Sequence, residues 1–377
     1  MALRIGLIGS GFIGRSHSIA LSAVGSVFPE IEAPVLEVIA EADPHKAARA
    51  ARELGFRRFA RDWRELVRDP NVDIVDVCSP NYLHHEMALA ALAAGKHVYC
   101  EKPLALDVAQ AREVAEAAER AGVVHLTGFN YACNPLVRMA GEMIASGELG
   151  RIFGFRGRYF EDYMTDPAVP FSWRCERRLA GAGALADLGS HLINMAHVLI
   201  GPIARVNARL TTVHPERRDP AGGQMRRVEN EDTASALVEF ATGLQGTFEI
   251  SRVATGYKCG LAFRIYGSRG SIAFDQERMN ELRLYSAADP AGQRGFRTIL
   301  TGPEHPDYRF FCPASGHGLG INDLKIIEAR NLLHAIASGG RATPGFDEGL
   351  RVQQVMDAME RSHEQGWVRI DMDDRRS

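Results

Sequence analysis

The sequence lacks the features that would send a chain to a membrane, a nucleic acid or a disulfide scaffold. No apolar run reaches the ~18 residues of a membrane-spanning helix, and no block of like charge exceeds a few residues. With 44 basic against 47 acidic residues, the formal net charge is −3. Neither a nucleic-acid footprint nor a membrane-attracting basic patch is therefore expected. Cys78, Cys100, Cys133, Cys175, Cys259 and Cys312 form no C-x-x-C pair, so no metal site is expected. Cys78 and Cys100 fall in apolar strand patterns, which implies buried, reduced thiols. The chain enters a strand pattern at once and leaves no room for a secretion signal, so a cytoplasmic protein is expected. Internal repeats and low-complexity tracts are also missing.

What is present is apolar material for sizeable cores, 46% of 377 residues, and more length than one core usually takes. Two domains are expected, 1–128 and 129–377. In the first, apolar strand patterns at 3–8, 35–41, 74–78, 98–100 and 123–127 alternate with helical ones. The strands are almost continuously apolar, as strands covered on both faces must be. This predicts an α/β domain with a doubly wound parallel sheet. Beyond residue 128 the strand patterns are longer, at 152–160, 204–213, 233–240, 245–252, 262–266 and 271–274, with glycine turns between them. That predicts an α+β domain with a mostly antiparallel, open-faced sheet. Residues 214–230 are polar and rich in Arg, Pro and Gly, and are expected to be an exposed loop. A helix is expected through 187–199.

Chemistry enters with the glycines. The first strand pattern runs straight into Gly9, Gly11 and Gly14, and a helical pattern follows. This is a dinucleotide-binding turn, with Phe12 and Ile13 inside it: two glycines admit a pyrophosphate and the third lets helix pack on strand. Asp43 follows the second strand and is placed either on the ribose hydroxyls, favouring NAD, or at the cap of the helix opened by Pro44. The interval from Gly14 is longer than the usual ~20 residues, and 26–34 reads as an insertion. Ser79, Asn81 and His84 follow the next strand, at the sheet edge where ligands of such folds bind. Glu101-Lys102-Pro103 follows another. The proline fixes that turn, and Lys102 gains a place from which to act on a carbonyl or alcohol. Asp187 and His191 are four apart, on one face of the expected helix. Histidine titrates near ~6.5, which suits removing a proton from an alcohol at neutral pH.

Taken in this order, Gly9–Gly14, Ser79-Pro80-Asn81 with His84, Gly95 to Pro103, and Asp187-x-x-x-His191 resemble the glucose–fructose oxidoreductase / inositol dehydrogenase / rhizopine catabolism (Gfo/Idh/MocA) family over essentially the whole chain. The resemblance implies a Rossmann domain that binds NAD, and oxidation of a cyclic polyol or sugar such as an inositol or a pyranose. It implies Lys102, Asp187 and His191 as the catalytic set, with His191 the acid/base and Lys102 polarising the reacting oxygen. Glu101, Trp173 and Arg174 are then expected beside the cofactor. Asn130, Arg178, Asn194 and His317 are expected among the substrate contacts. Asn194 stands where relatives often carry an acid, so it can hydrogen-bond a hydroxyl but cannot act as a base. Two other classes share the fold: a glycosidase working through transient oxidation, and a nucleotide-sensing regulator. The strand pairs Leu237-Val-Glu-Phe240 and Phe263-Arg-Ile-Tyr266 read as apolar on both alternations, so the open sheet face is expected to seek a second copy, most simply in a homotetramer. His317, between glycines, is expected at a loop tip able to reach a neighbouring subunit.

Overall fold

The computed structural model describes residues 2–370; the ends of the two expected ranges, residues 1 and 371–377, lie outside the described residues. The chain forms two compact units. One comprises residues up to Cys133 together with Leu319–Leu350, the other Asn134–Gly318 and the chain from Arg351 onward. This corrects the expected boundary: 319–350 belongs with the first unit, because an apolar and charged helix there packs along that unit's first helix.

The first unit holds a six-stranded parallel sheet. Its strands are β1 (Arg4–Ile8), β2 (Val35–Ala40), β3 (Arg58–Ala60), β4 (Ile74–Val77), β5 (His97–Cys100) and β6 (His125–Thr127). The spatial order is β3-β2-β1-β4-β5-β6, with every neighbouring pair parallel. The order reverses between β1 and β4, which opens a ligand crevice at their carboxyl ends. Helices α1 (Phe12–Val27), α2 (Pro44–Leu54), α3 (Trp63–Arg68), α4 (His84–Ala93) and α5 (Val108–Ala121) are the crossovers. Asp43, Asp62 and Asp107 cap α2, α3 and α5 by accepting backbone N–H bonds. Ile8, Val38, Val75, Val77, Val98 and Val114 are fully or nearly buried on the sheet and under the helices, so burial on both faces is met. α1 reaches Val27, so the expected insertion at 26–34 is partly a longer helix.

The second unit begins with α6 (Pro135–Ala145) and holds a nine-stranded sheet. In chain order its elements are β7 (Ile152–Phe160), α7 (Arg177–Ala180), α8 (Ser190–Leu199), β8 (Ile203–Thr211), β9 (Glu216–Arg218), β10 (Met225–Arg227), β11 (Thr233–Phe240), β12 (Gln245–Ser251), β13 (Ala262–Gly267), β14 (Gly270–Asp275), β15 (Glu281–Ser286) and β16 (Arg297–Leu300). After α9 (Ile321–Ser338), which lies in the first unit, come α10 (Phe346–Gln365) and β17 (Val368–Arg369). The sheet order is β16-β15-β14-β13-β7-β12-β11-β8-β17. All pairs are antiparallel except β7 with β12. Phe155 anchors the covered face, its ring 5.9 Å from that of Phe240, 6.0 Å from Phe248 and 6.4 Å from Phe263.

Two expectations fail in this unit. The segment 214–230 is not a bare loop: β9 and β10 form a hairpin, and Arg217 is fully buried, donating to the Met164, Asp166 and Val169 carbonyls. The uncovered sheet face is not apolar either. Val238, Phe240, Phe263 and Ile265 all point to the covered side, and regular strand alternation leaves Leu237, Arg156, Glu249, Arg264 and Arg283 exposed on the other. Among the described residues no helix is long and apolar enough to cross a membrane.

Candidate functional site

In the first unit the site is built on the carboxyl ends of β1, β4 and β5. A Cβ on Gly14 would lie 2.0 Å from the Gly9 carbonyl oxygen, so only glycine lets α1 start this close to β1. No side chain caps α1 and no acid lies in its first turn. Its N–H groups and positive dipole end therefore remain for an anion. Ser10, Gly11, Phe12, Glu41, Lys46 and Arg49 line a recess of about 310 Å³ beside this turn. Phe12 is 81% exposed; Ile13 is half-buried and Gly14 buried.

Two acids follow β2, of which the sequence argument used one. Asp43 caps α2, accepting from His45 N at 2.9 Å and Lys46 N at 3.4 Å. Those backbone donors hold its carboxyl below the usual range. Glu41 was missed: its Oε1 accepts from both the backbone N and the Oγ of Ser10, each at 2.6 Å. The available signal was its place as the first residue beyond β2, level with the glycine turn.

Ser79 and Asn81 follow β4, Asn81 opening a single 3₁₀ turn, and both are half-buried. His84 is fully buried, with Nδ1 2.7 Å from the Pro103 carbonyl oxygen and Nε2 2.8 Å from that of Ser79. As a cofactor contact it is corrected: its ring is committed to two backbone carbonyls and joins the loop after β4 to the loop after β5. Glu101 is corrected likewise. It is 5% exposed, and its carboxylate faces inward onto His17 and Lys325. Lys102 is half-buried and precedes a cis peptide bond to Pro103. Asn130 is buried in a 3₁₀ turn after β6.

In the second unit Asp187 and His191 are carried by an unusual helix. Leu185–Gly189 forms a π turn, and α8 begins only at Ser190. The expectation of one α-helix through 187–199 is thus corrected, and such wide turns are frequent at functional sites. A Cβ on Gly183 would meet the Glu231 carbonyl oxygen at 2.0 Å, so glycine is required where this segment starts. The Glu231 carboxylate then accepts from Gly183 N at 2.9 Å and Leu185 N at 2.8 Å. Burial pushes its carboxyl up while those donors oppose the shift. Asn230 Nδ2 donates to the Arg174 carbonyl at 2.9 Å, and Arg252 pairs with Asp232 at 2.8 Å with both side chains buried. The run Asn230-Glu231-Asp232 therefore fixes the segments bearing Arg174 and Asp187. Sequence reasoning missed it; the signal was three consecutive polar residues directly before a strand.

Tyr163 Oη donates to Asp187 Oδ2 at 2.6 Å, and Arg174 Nε lies 3.9 Å from the same oxygen. Burial and the Asp187 carboxylate push the Tyr163 phenol well up, which keeps it a donor. The Arg174 guanidinium stacks over Trp173, 4.5 Å from the ring centre. His191 is 7% exposed and Asn194 is buried one turn further along α8. Asp187, Tyr163, Trp173 and Arg174 are thus brought together. Arg178 is not: it stands exposed in an ion pair with Glu176. His317 is exposed in a loop whose backbone is pinned by Tyr308, which donates to its carbonyl at 2.6 Å and accepts from its N–H at 3.2 Å.

Residues 3–129 match the model of the oxidoreductase family with an NAD-binding Rossmann fold, and residues 137–273 match that of the GFO/IDH/MocA C-terminal domain. The chain belongs to the GFO/IDH/MocA family. Within the family it is 41% identical, over 98% of either chain, to levoglucosan dehydrogenase of Pseudarthrobacter phenanthrenivorans. It is 30% identical to myo-inositol 2-dehydrogenase of Thermotoga maritima, over 79% of this chain and 81% of that one. The solved complex of a levoglucosan dehydrogenase with NADH and levoglucosan superimposes with a TM-score of 0.96 at 41% identity, covering 99% of this chain and all of that one. This member of the family is an NAD-dependent oxidoreductase, as the resemblance implied.

Proposed function

We propose that the protein oxidises a secondary alcohol of a cyclic sugar, with an anhydropyranose of the levoglucosan kind ahead of the inositols. The observation that carries this reading is full-length likeness, in sequence and in fold, to levoglucosan dehydrogenase. The glycine turn fits NAD: the Gly14 approach and the uncapped start of α1 make a cradle for a pyrophosphate. Bound there, NAD supplies the acceptor for the hydride leaving the alcohol carbon. The chain's own residues handle the proton and the geometry. His191 takes the hydroxyl proton, and Lys102 offers an ammonium to the oxygen on which charge develops. Asp187, held by Tyr163 and Arg174, orients the substrate or the imidazole. Asn194 offers an amide to a further hydroxyl. We also propose assembly as a homotetramer through the uncovered sheet face, where Arg156, Arg264, Arg283 and Glu249 stand exposed.

Absorbance at 340 nm reports NADH formation with levoglucosan, myo-inositol, scyllo-inositol and glucose as candidate substrates. The expected outcome is the highest kcat/KM for levoglucosan. His191→Ala and Lys102→Ala each lose roughly 10²–10⁴-fold in kcat while NADH still binds. No NADH with any of these substrates refutes the reading.

A further inference from the structure

The first unit contains a cluster of buried charges that the chemistry above does not use. His17 is fully buried on α1, one turn beyond the glycine turn. Its Nδ1 lies 2.9 and 3.0 Å from the two carboxylate oxygens of Asp76 on β4, and its Nε2 lies 2.9 Å from Glu101 Oε1 at the end of β5. The same Glu101 oxygen accepts from Lys325 Nζ on α9 at 2.5 Å. Lys325, 1% exposed, also donates to Glu328 at 2.8 Å, and Glu328 takes the hydroxyl of Tyr99. The other Glu101 oxygen accepts the backbone N–H of Lys102 at 3.2 Å.

Fold maintenance alone is a poor account of this arrangement. Desolvating such charges costs several kcal/mol per ion, and well-packed apolar residues of the same volume often stabilise a core at least as well. Metal binding is a poor account too. His17, Asp76 and Cys78 lie close enough together to suggest a metal, but both ring nitrogens of His17 already face carboxylates. The charges also support one another. Burial opposes ionising His17, yet Asp76 and the bonds to Asp76 and Glu101 outweigh it and carry the imidazole up to about 9. Burial likewise raises Glu101, but Lys325 and His17 hold its carboxyl well below the usual range.

What distinguishes the cluster is what it joins. One imidazole ties the helix that begins at the glycine turn to β4, just before Ser79, and to β5, just before Lys102. We propose that His17 and Lys325 are positioning residues that fix the backbone of Lys102 through the carboxylate of Glu101. The inference rests on the catalytic role proposed for Lys102. Neither residue reaches substrate in this scheme; each acts through Glu101. A displacement of about 1 Å at a catalytic group can lower turnover on the order of 100-fold, so a small slackening of this link is measurable.

The test uses the full-length enzyme with levoglucosan and NAD, following kcat, KM, the Kd for NADH by fluorescence, and the circular dichroism spectrum. Lys325→Met is expected to lose on the order of 100-fold in kcat, with KM and the NADH Kd within about threefold. Lys325→Arg is expected to recover most of the loss. His17→Gln keeps a donor near the position of Nε2, toward Glu101. His17→Asn keeps one only near Nδ1, toward Asp76. The glutamine variant should therefore turn over at least tenfold faster than the asparagine one. If Lys325→Met does not fold, this histidine pair decides the matter. In a Lys102→Ala background, Lys325→Met should cost little more. Additive losses, or a loss confined to NADH affinity, overturn the proposal. A Lys102→Ala enzyme with normal kcat refutes instead the catalytic reading beneath it.

Discussion

Glu41 and Asp43 divide a task that one acid often performs. Asp43 spends its carboxylate on two backbone N–H groups of α2, and Glu41 spends its own on Ser10 of the glycine turn. Glu41 lines a recess that also contains Lys46 and Arg49, and Asp43 stands two residues further on, at the cap of α2. The two carboxylates oppose a 2′-phosphate while Lys46 and Arg49 attract one, and a preference for NAD over NADP is the expected balance. Asp43→Ser retains a capping oxygen, and Glu41→Gln retains an acceptor for Ser10, so each removes charge without removing the bond. The double variant should lower the ratio of kcat/KM with NAD to that with NADP by at least ~10-fold, the scale of one or two unit charges near a phosphate at a protein surface. An unchanged ratio places the discrimination elsewhere.

The π turn at Leu185–Gly189 shows why elements were only partly legible. The glycine turn, the parallel sheet, and the loops bearing Ser79 and Lys102 all follow from local spacing, and the structure has them where the spacing put them. The π turn depends on Glu231, far along the chain, whose carboxylate collects N–H groups of Gly183 and Leu185. No window around Asp187 contains that information. The same holds for Arg217, polar in a polar stretch, whose burial comes from three carbonyls some fifty residues earlier. Glu101 and His84 read as ligand contacts because they adjoin Lys102 and Asn81 in sequence; only packing shows their side chains turned to the interior. Glu231→Ala should leave two buried N–H groups unsatisfied and cost roughly 2–4 kcal/mol, read as a lower urea midpoint. It should also lower kcat, because Asp187 and His191 lose their anchor. Glu231→Gln, which keeps one acceptor oxygen, should fall between. A wild-type midpoint for the alanine variant would show that the π turn stands without Glu231.

At the scale of the whole molecule, the expected assembly rests on a surface of a different character from the one read in the sequence. The uncovered sheet face is mixed in charge, with Leu237 as an exposed apolar residue at 53%. A polar face of this kind buries less apolar area per contact than a greasy one, so the proposed tetramer should weaken with salt. Sedimentation velocity at micromolar protein is expected to show a tetramer at low ionic strength; a monomer there refutes the assembly. The division of the first unit into two stretches of chain has a consequence for synthesis. Lys325 leaves the ribosome 224 residues after Glu101, the acid it neutralises. At ~5–20 residues per second, the nascent Rossmann half waits roughly 10–45 s with Asp76 and Glu101 balanced by His17 alone. An amino-terminal fragment that stops at the end of the parallel sheet is frozen in that state, so the cofactor-binding half of this enzyme cannot complete its buried charge cluster until α9 has been made.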